Sequence, residues 1–111
     1  MNYLMLVCVD ESVKLSKAEW ATMTAEVKAW VAGMDASGVR LLGNQLAPAS
    51  DATTVRVRDG EVLLGDGPFA ETKEQIAGFD LIECADLDQA IEVASKHPVA
   101  RCGALQVRPY I

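Results

Sequence analysis

Residues 3–9, with the sequence YLMLVCV, are the feature that most restricts how this chain can fold. A short, continuous apolar run of this kind is typical of a strand that is covered on both faces, so we predict that it lies at the centre of a sheet. No apolar run in the chain approaches the ~20 residues that a membrane-spanning helix requires. We therefore expect no association with a membrane.

A capped amphipathic helix follows this strand. Ser16 and Glu19 have the spacing of a capping box, which predicts a helix that begins at Lys17. Apolar residues then recur at three- and four-residue steps, as in a helix that packs one face against a sheet, and they include Trp20 and Trp30. We interpret both tryptophans as core or dimer contacts. The pair Ser37-Gly38 predicts the end of the helix.

The middle of the chain predicts three more strands. Residues 39–46 form the first, in which Gly43 indicates a bulge or a close backbone approach. Residues 53–58 and 61–64 flank Asp59-Gly60, a strong signal for a β-hairpin. Alternation in the first hairpin strand places its valines on one face and its arginines on the other.

The last third of the chain repeats the order of strand, helix and strand. Residues 78–84 and 103–107 are the predicted strands, and Asp86 is the predicted N-cap of the helix between them. Pro98 ends that helix. We interpret His97 as a residue of the helix C-terminus, favoured there by the helix dipole, rather than as a catalytic base.

This element order predicts one α+β domain over residues 1–111. It is a split βαββαβ frame with an inserted β-hairpin, a mainly antiparallel sheet and both helices on one face. Two helices leave the second face of the sheet, which also carries apolar residues, without a cover. We therefore expect a homodimer that forms sheet to sheet.

Charge and cysteine content exclude several classes of function. The net charge of −6 argues against nucleic acid as a partner, although a local arginine cluster could still hold a small anionic or polar ligand. The three cysteines are widely spaced, so we predict neither disulfides nor a metal site. The N-terminus has no basic segment or cleavage site typical of a signal peptide, and we expect a cytoplasmic protein.

The strongest candidate site is the loop that begins at Asp66-Gly67-Pro68, a turn sequence. Asp66, Lys73 and Glu74 place two carboxylates beside an ammonium group, which suits acid–base catalysis. Four further residues are predicted to bind a ligand at this site: Arg56, Arg58, Phe69 and Arg108. We expect the Asp66 carboxylate to meet an arginine of the hairpin. The alternative is a purely structural turn, with Phe69 anchored in the core and the charged residues solvated.

Residues 66–79, DGPFAETKEQIAGF, resemble the signature of the YCII-related family, in its DGPF subgroup. Residues 55–60, 86–90 and 103–109 extend the resemblance over essentially the whole chain. It implies a ferredoxin-like fold that forms a dimeric α+β barrel, and no cofactor. The wider family is associated with a histidine and an aspartate as a catalytic pair, but the first helix here has no histidine. Gln106 stands where the subgroup commonly has glutamate.

Three functions fit these observations. The first is a small-molecule-binding protein or cofactor-free enzyme with a site at the Asp66 loop. The second is a non-catalytic dimeric module that regulates or docks to another protein, because some members of the family are joined to sigma factors. The third, a cofactor-free oxygenase or isomerase, follows from analogy of fold alone.

Overall fold

The computed structural model describes residues 1–111. The helices and strands follow in the order β1 (Asn2–Val9), α1 (Lys17–Ala36), β2 (Arg40–Gln45), β3 (Thr53–Arg58), β4 (Glu61–Asp66), β5 (Gln75–Glu83), α2 (Leu87–Ser95) and β6 (Ala104–Pro109). Short 3-10 helices span Ala49–Asp51 and Pro98–Arg101. The main sheet has the strand order β2-β5-β1-β6, and all neighbouring strands are antiparallel.

Local hydrogen bonds explain where the first helix begins and ends. The Glu19 amide donates to Ser16 Oγ at 3.1 Å, and the Ser16 amide donates to Glu19 Oε1 at 3.0 Å. These two bonds complete the capping box, which confirms the predicted start at Lys17. The helix ends before Gly38, whose φ of 76° lies in the left-handed region that glycine adopts without strain.

The core lies between the main sheet and the two helices. Tyr3, Met5 and Ile82 point from adjacent strands to the same face and are almost completely buried. Trp30 of α1 and Val93 of α2 pack against that face. These features confirm an α+β structure with a mainly antiparallel sheet and two helices, and they are consistent with a ferredoxin-like fold.

The opposite face of the main sheet has no cover within the chain. It carries Leu4, Leu6 and Leu81, which are partly buried, and Leu42 and Ile76, which are exposed. Successive side chains along each strand point alternately to this face and to the core face, as in any β-strand. A broad apolar surface therefore remains accessible in the single chain.

Strands β3 and β4 form a separate two-stranded sheet that packs chiefly against itself. Asp59 and Gly60 connect the strands with φ values of 52° and 78°, as a tight hairpin requires. The radius of gyration is 15.8 Å, against about 13 Å for a compact chain of this length. The hairpin therefore projects as an arm. One face of the arm carries four exposed apolar side chains: Val55, Val57, Val62 and Leu64.

Neither helix combines the length and the apolar character needed to cross a bilayer.

Candidate functional site

An ion pair joins strands β2 and β5 on the core face of the sheet. Arg40 Nε donates to Asp80 Oδ1 at 2.6 Å, and Arg40 Nη1 donates to Asp35 Oδ1 at 3.0 Å. The side chains of Arg40 and Asp80 are 13% and 8% exposed, whereas that of Asp35 is half exposed. The buried Asp80 carboxylate is thus held by a guanidinium that a second carboxylate orients from the end of α1.

Gly43 makes room for this pair. A Cβ at Gly43 would lie 2.6 Å from the Phe79 carbonyl oxygen and 2.8 Å from Arg40 Nη2, and it would also collide with Asp80 Oδ1. The strand has an irregular register between Arg40 and Leu42. The close backbone approach, one of the two predictions for Gly43, is therefore confirmed, whereas the irregularity of the strand lies before Gly43. The absence of a side chain at Gly43 admits two charged side chains beside the strand.

His97 is buried beneath α1, not placed in the last turn of α2 as we expected. Helix α2 ends at Ser95, and His97 instead caps the 3-10 helix Pro98–Arg101, where its Nδ1 accepts a hydrogen bond from the Val99 amide at 3.1 Å. Its ring meets the Trp30 ring edge to face, with centroids 4.7 Å apart. Burial lowers the pKa of His97, and the nearby Asp80 carboxylate partly opposes that shift.

Asp80 and His97 line the same cavity, which we call the inner chamber. It lies between α1 and the core face of the sheet and has a volume of about 270 Å³. This is close to the lower end of the range for small-molecule sites. Its polar lining includes Lys28, Arg40 and Gln45, and its apolar lining comprises Val7, Val9, Trp20, Met23, Val27, Val31, Ala77, Phe79 and Val99.

A second cavity, the outer chamber, adjoins the inner one. It has a volume of about 480 Å³ and shares Val9, Trp20, Met23, Gln45, Ala77 and Val99 with the inner chamber. The strand-to-helix loop after β1, from Asp10 to Leu15, forms much of its remaining wall. Trp20 borders both chambers. Its side chain is 54% exposed, so it is not a core residue of the single chain.

The sequence-predicted site residues of the hairpin do not come together. Asp66 lies opposite Thr53 at the base of the arm, on the face that carries Val55, whereas Arg56 and Arg58 point to the other face. The expected ion pair between Asp66 and one of these arginines is therefore absent, because alternate residues of a strand face opposite sides. All three charged side chains are exposed.

The rest of the predicted set is also dispersed. Phe69 is 77% exposed, so it is not anchored in the core of this chain. Glu74 is exposed, and Arg108 lies on the uncovered face of the main sheet, where its guanidinium can donate to Gln106 Oε1 at 2.6 Å. Lys73 alone approaches a chamber, with Nζ 4.0 Å from Asp10 Oδ2 at the wall of the outer one.

The cysteines offer no activated nucleophile at the inner chamber. Burial raises the pKa of the Cys8 and Cys84 thiols, and Glu74 adds to the effect on Cys8. A raised pKa favours the less reactive thiol over the thiolate. Cys102 is exposed and borders only the outer chamber.

Sequence reasoning missed Arg40 and Asp80 and misplaced His97. One signal was present: Asp80 alternates with Gly78 and Ile82 in an apolar strand, so it takes a core-facing position. A charged residue in such a position needs a partner, because burying an unpaired charge is costly. The identity of that partner depends on strand pairing, which the sequence pattern did not supply.

Comparison with known proteins places the whole chain in one family. The family model described as YCII-related domain matches residues 1–111. An uncharacterized protein of Rhizobium meliloti (strain 1021) is 48% identical over 67 residues, which cover 59% of this chain and 54% of the relative. The chain thus aligns with about half the length of this curated relative.

Proposed function

Because this chain belongs to the YCII-related domain family over its whole length, we propose that it is a small-molecule-binding protein or cofactor-free enzyme whose ligand occupies the inner chamber. One observation carries this proposal: Asp80 and His97, which are 5% and 3% exposed, line a single cavity with largely apolar walls. Apolar cavities with a few convergent polar groups are the usual form of small-molecule sites.

The polar groups of the chamber suit acid–base chemistry. Asp80 Oδ1 is occupied by Arg40, whereas Oδ2 makes no hydrogen bond within the chain. No fully buried polar side-chain atom lacks a partner, so Oδ2 keeps some accessible surface, and Asp80 lines the chamber. The carboxylate can take a proton from a bound molecule without any cofactor, while the imidazole at the same cavity can hold that molecule by a hydrogen bond.

We assign the loop at residues 66–74 a role at the entrance. Its Asp66-Gly67-Pro68-Phe69 sequence is the basis for placing the chain in the DGPF subgroup. Lys73 faces Asp10 at the wall of the outer chamber, where an ammonium group can attract an anionic or polar ligand. In this proposal Asp66 and Glu74 support the loop, and the chemistry belongs to Asp80 and His97.

We also propose that the protein is a cytoplasmic homodimer. The uncovered sheet face and the arm together expose several large apolar side chains, among them Leu42, Val55 and Leu64. Apolar surface of this extent is typical of an interface. Three unpaired thiols, including the exposed Cys102, suit a reducing compartment. Sedimentation at micromolar concentration should give twice the 11.9 kDa chain mass, and a persistent monomer would refute the dimer.

A ligand screen tests the assignment of the site. The full chain is incubated with a metabolite extract, and retained compounds are identified by mass spectrometry. Compounds that bind in the inner chamber should lose affinity for Asp80→Asn and retain it for Asp66→Asn, a matched change of an exposed aspartate. If Asp66→Asn abolishes binding and Asp80→Asn does not, the site lies at the loop and the proposal is wrong.

A further inference from the structure

We infer that His97 is a hydrogen-bond donor to the ligand and not its proton acceptor: its ring is neutral and carries the proton on Nε2, directed at a carbonyl-type oxygen of an apolar molecule in the inner chamber. The inference rests on the proposed function for the existence of a ligand. The state of the ring follows from the structure alone.

The tautomer is set by the Val99 amide. This backbone N–H donates to His97 Nδ1 at 3.1 Å, so Nδ1 must present a lone pair. A neutral imidazole with a lone pair on Nδ1 carries its proton on Nε2. The edge-to-face contact with Trp30 holds the ring in this orientation, and Trp30 is itself fixed by a hydrogen bond from Nε1 to the Val93 carbonyl at 3.3 Å.

Two features of the site disfavour protonation of the His97 ring. Protonation would place an N–H on Nδ1 against the Val99 N–H, which would break the cap of the 3-10 helix, and it would put a cation in a site that is 3% exposed. The charged groups around the same chamber are Lys28, Arg40 and Asp80. The single carboxylate among them is already paired with Arg40, which limits the stabilisation that it can give to an imidazolium.

His97 Nε2 is accessible, and His97 belongs to the wall of the inner chamber. Nε2 makes no hydrogen bond within the chain, and since no fully buried polar side-chain atom lacks a partner, it must reach accessible space. His97 lines the inner chamber and not the outer one. A donor in the wall of an apolar cavity selects a ligand with an acceptor oxygen, and a carbonyl group on an apolar body matches both features.

The tautomer can be measured without a ligand because the chain contains one histidine. A long-range 1H–15N spectrum of uniformly labelled protein at about pH 7 should show Nε2 protonated and Nδ1 not. An imidazolium, or a neutral ring protonated on Nδ1, would overturn the inference.

Acetophenone and ethylbenzene test the class of ligand. They have similar shapes, but only acetophenone has an acceptor oxygen. Acetophenone should shift the His97 Nε2 resonance in a saturable way and bind more tightly than ethylbenzene. Equal binding of the two, or no binding of acetophenone up to its solubility limit, would refute the carbonyl specificity.

Two variants separate the roles of the ring nitrogens. His97→Asn places an acceptor near the position of Nδ1 and removes the donor, so it should keep the cap and lose about tenfold in affinity for acetophenone. His97→Gln places an amide N–H near the position of Nε2, so it should retain more of the affinity while losing the cap. Equal affinity of wild type and His97→Asn would contradict the donor role.

The outcomes distinguish this inference from the proposed function. If the metabolite screen finds no compound whose binding depends on Asp80, the proposed function is wrong. The tautomer of His97 is measured in the free protein, so that result is independent of the screen. If ligands are found but His97 is protonated on Nδ1, the proposed function survives and the donor role is wrong.

Discussion

Replacing Arg40 tests the centre of the candidate site most directly. Arg40→Met keeps an unbranched side chain of three heavy atoms beyond Cβ and removes the guanidinium. The Asp80 carboxylate, 8% exposed, would then lose its only charged partner. Asp35 would lose a partner as well, but its side chain is half exposed and water can replace the contact.

The burial of the Arg40–Asp80 pair determines the loss of unfolding free energy that we expect for Arg40→Met. Breaking a buried ion pair by removing one partner costs about 3–5 kcal/mol, because the remaining charge is left uncompensated. Accessible space at Asp80 Oδ2 reduces the penalty, so we expect a loss near the lower end, about 3 kcal/mol, or roughly 12–20 °C in Tm. Asp35→Asn, at a pair that is half exposed, should cost no more than about 1 kcal/mol.

Urea denaturation of four proteins provides the assay: wild type, Arg40→Met, Asp35→Asn and the double variant Arg40→Met/Asp80→Asn. The double variant should be more stable than Arg40→Met, because it no longer buries an unpaired carboxylate. A loss below about 1 kcal/mol for Arg40→Met would refute the reasoning. So would a double variant that is no more stable than the single one.

Four further predictions concern the pH dependence and three local contacts. Because the pKa of His97 is lowered in the folded protein, the unfolded chain binds more protons than the folded one at pH values between the lowered pKa and the ordinary pKa of about 6.5. The free energy of unfolding should therefore fall as the pH drops from about 7 to 5. This part of the pH dependence should vanish in His97→Asn. Gly43→Ala should lower the free energy of unfolding by about 1–3 kcal/mol in thermal melts, because the new Cβ would collide with Asp80. The control Gly33→Ala, with no atom within 4 Å of the new Cβ, should be neutral or stabilising, and similar effects of the two substitutions would argue against the close approach. Ser16→Ala should lower the unfolding free energy by about 1 kcal/mol, and no loss would mean that the cap is dispensable. Phe69→Ala should lower it by less than about 1 kcal/mol, since the ring is 77% exposed; a core-sized loss would show that the ring is buried in solution.

Much of the fold could be predicted from local patterns. The capping box at Ser16 and the apolar period placed α1, and the continuous run at residues 3–9 indicated the central strand, which pairs with both β5 and β6. Asp86 was the predicted N-cap of α2, and its side chain accepts from the Gln89 amide. These features depend on residues within about one helical turn or one strand, so local sequence patterns are sufficient to predict them.

The candidate site could not be predicted in the same way. The loop at residues 66–74 attracted attention because it concentrates turn-forming and charged residues, yet Asp66 and Phe69 are exposed there and neither lines a chamber. His97 was interpreted from its position after a helix. Its ring packs against Trp30, a residue of the other helix, which sequence spacing does not bring near it.

Periodicity, capping and turn chemistry in the sequence determined which segments become helices and strands and which side chains face the core. Only the tertiary structure decided that Arg40 meets Asp80, because that contact requires β2 to pair with β5 across the segment that contains the arm. It also decided that His97 lines the same chamber as Asp80, since five separate segments (β1, α1, β2, β5 and residues 97–99) must pack before that chamber exists. The physical reason is that burial and charge pairing depend on neighbours that are distant in the chain, whereas secondary structure depends largely on neighbours that are close.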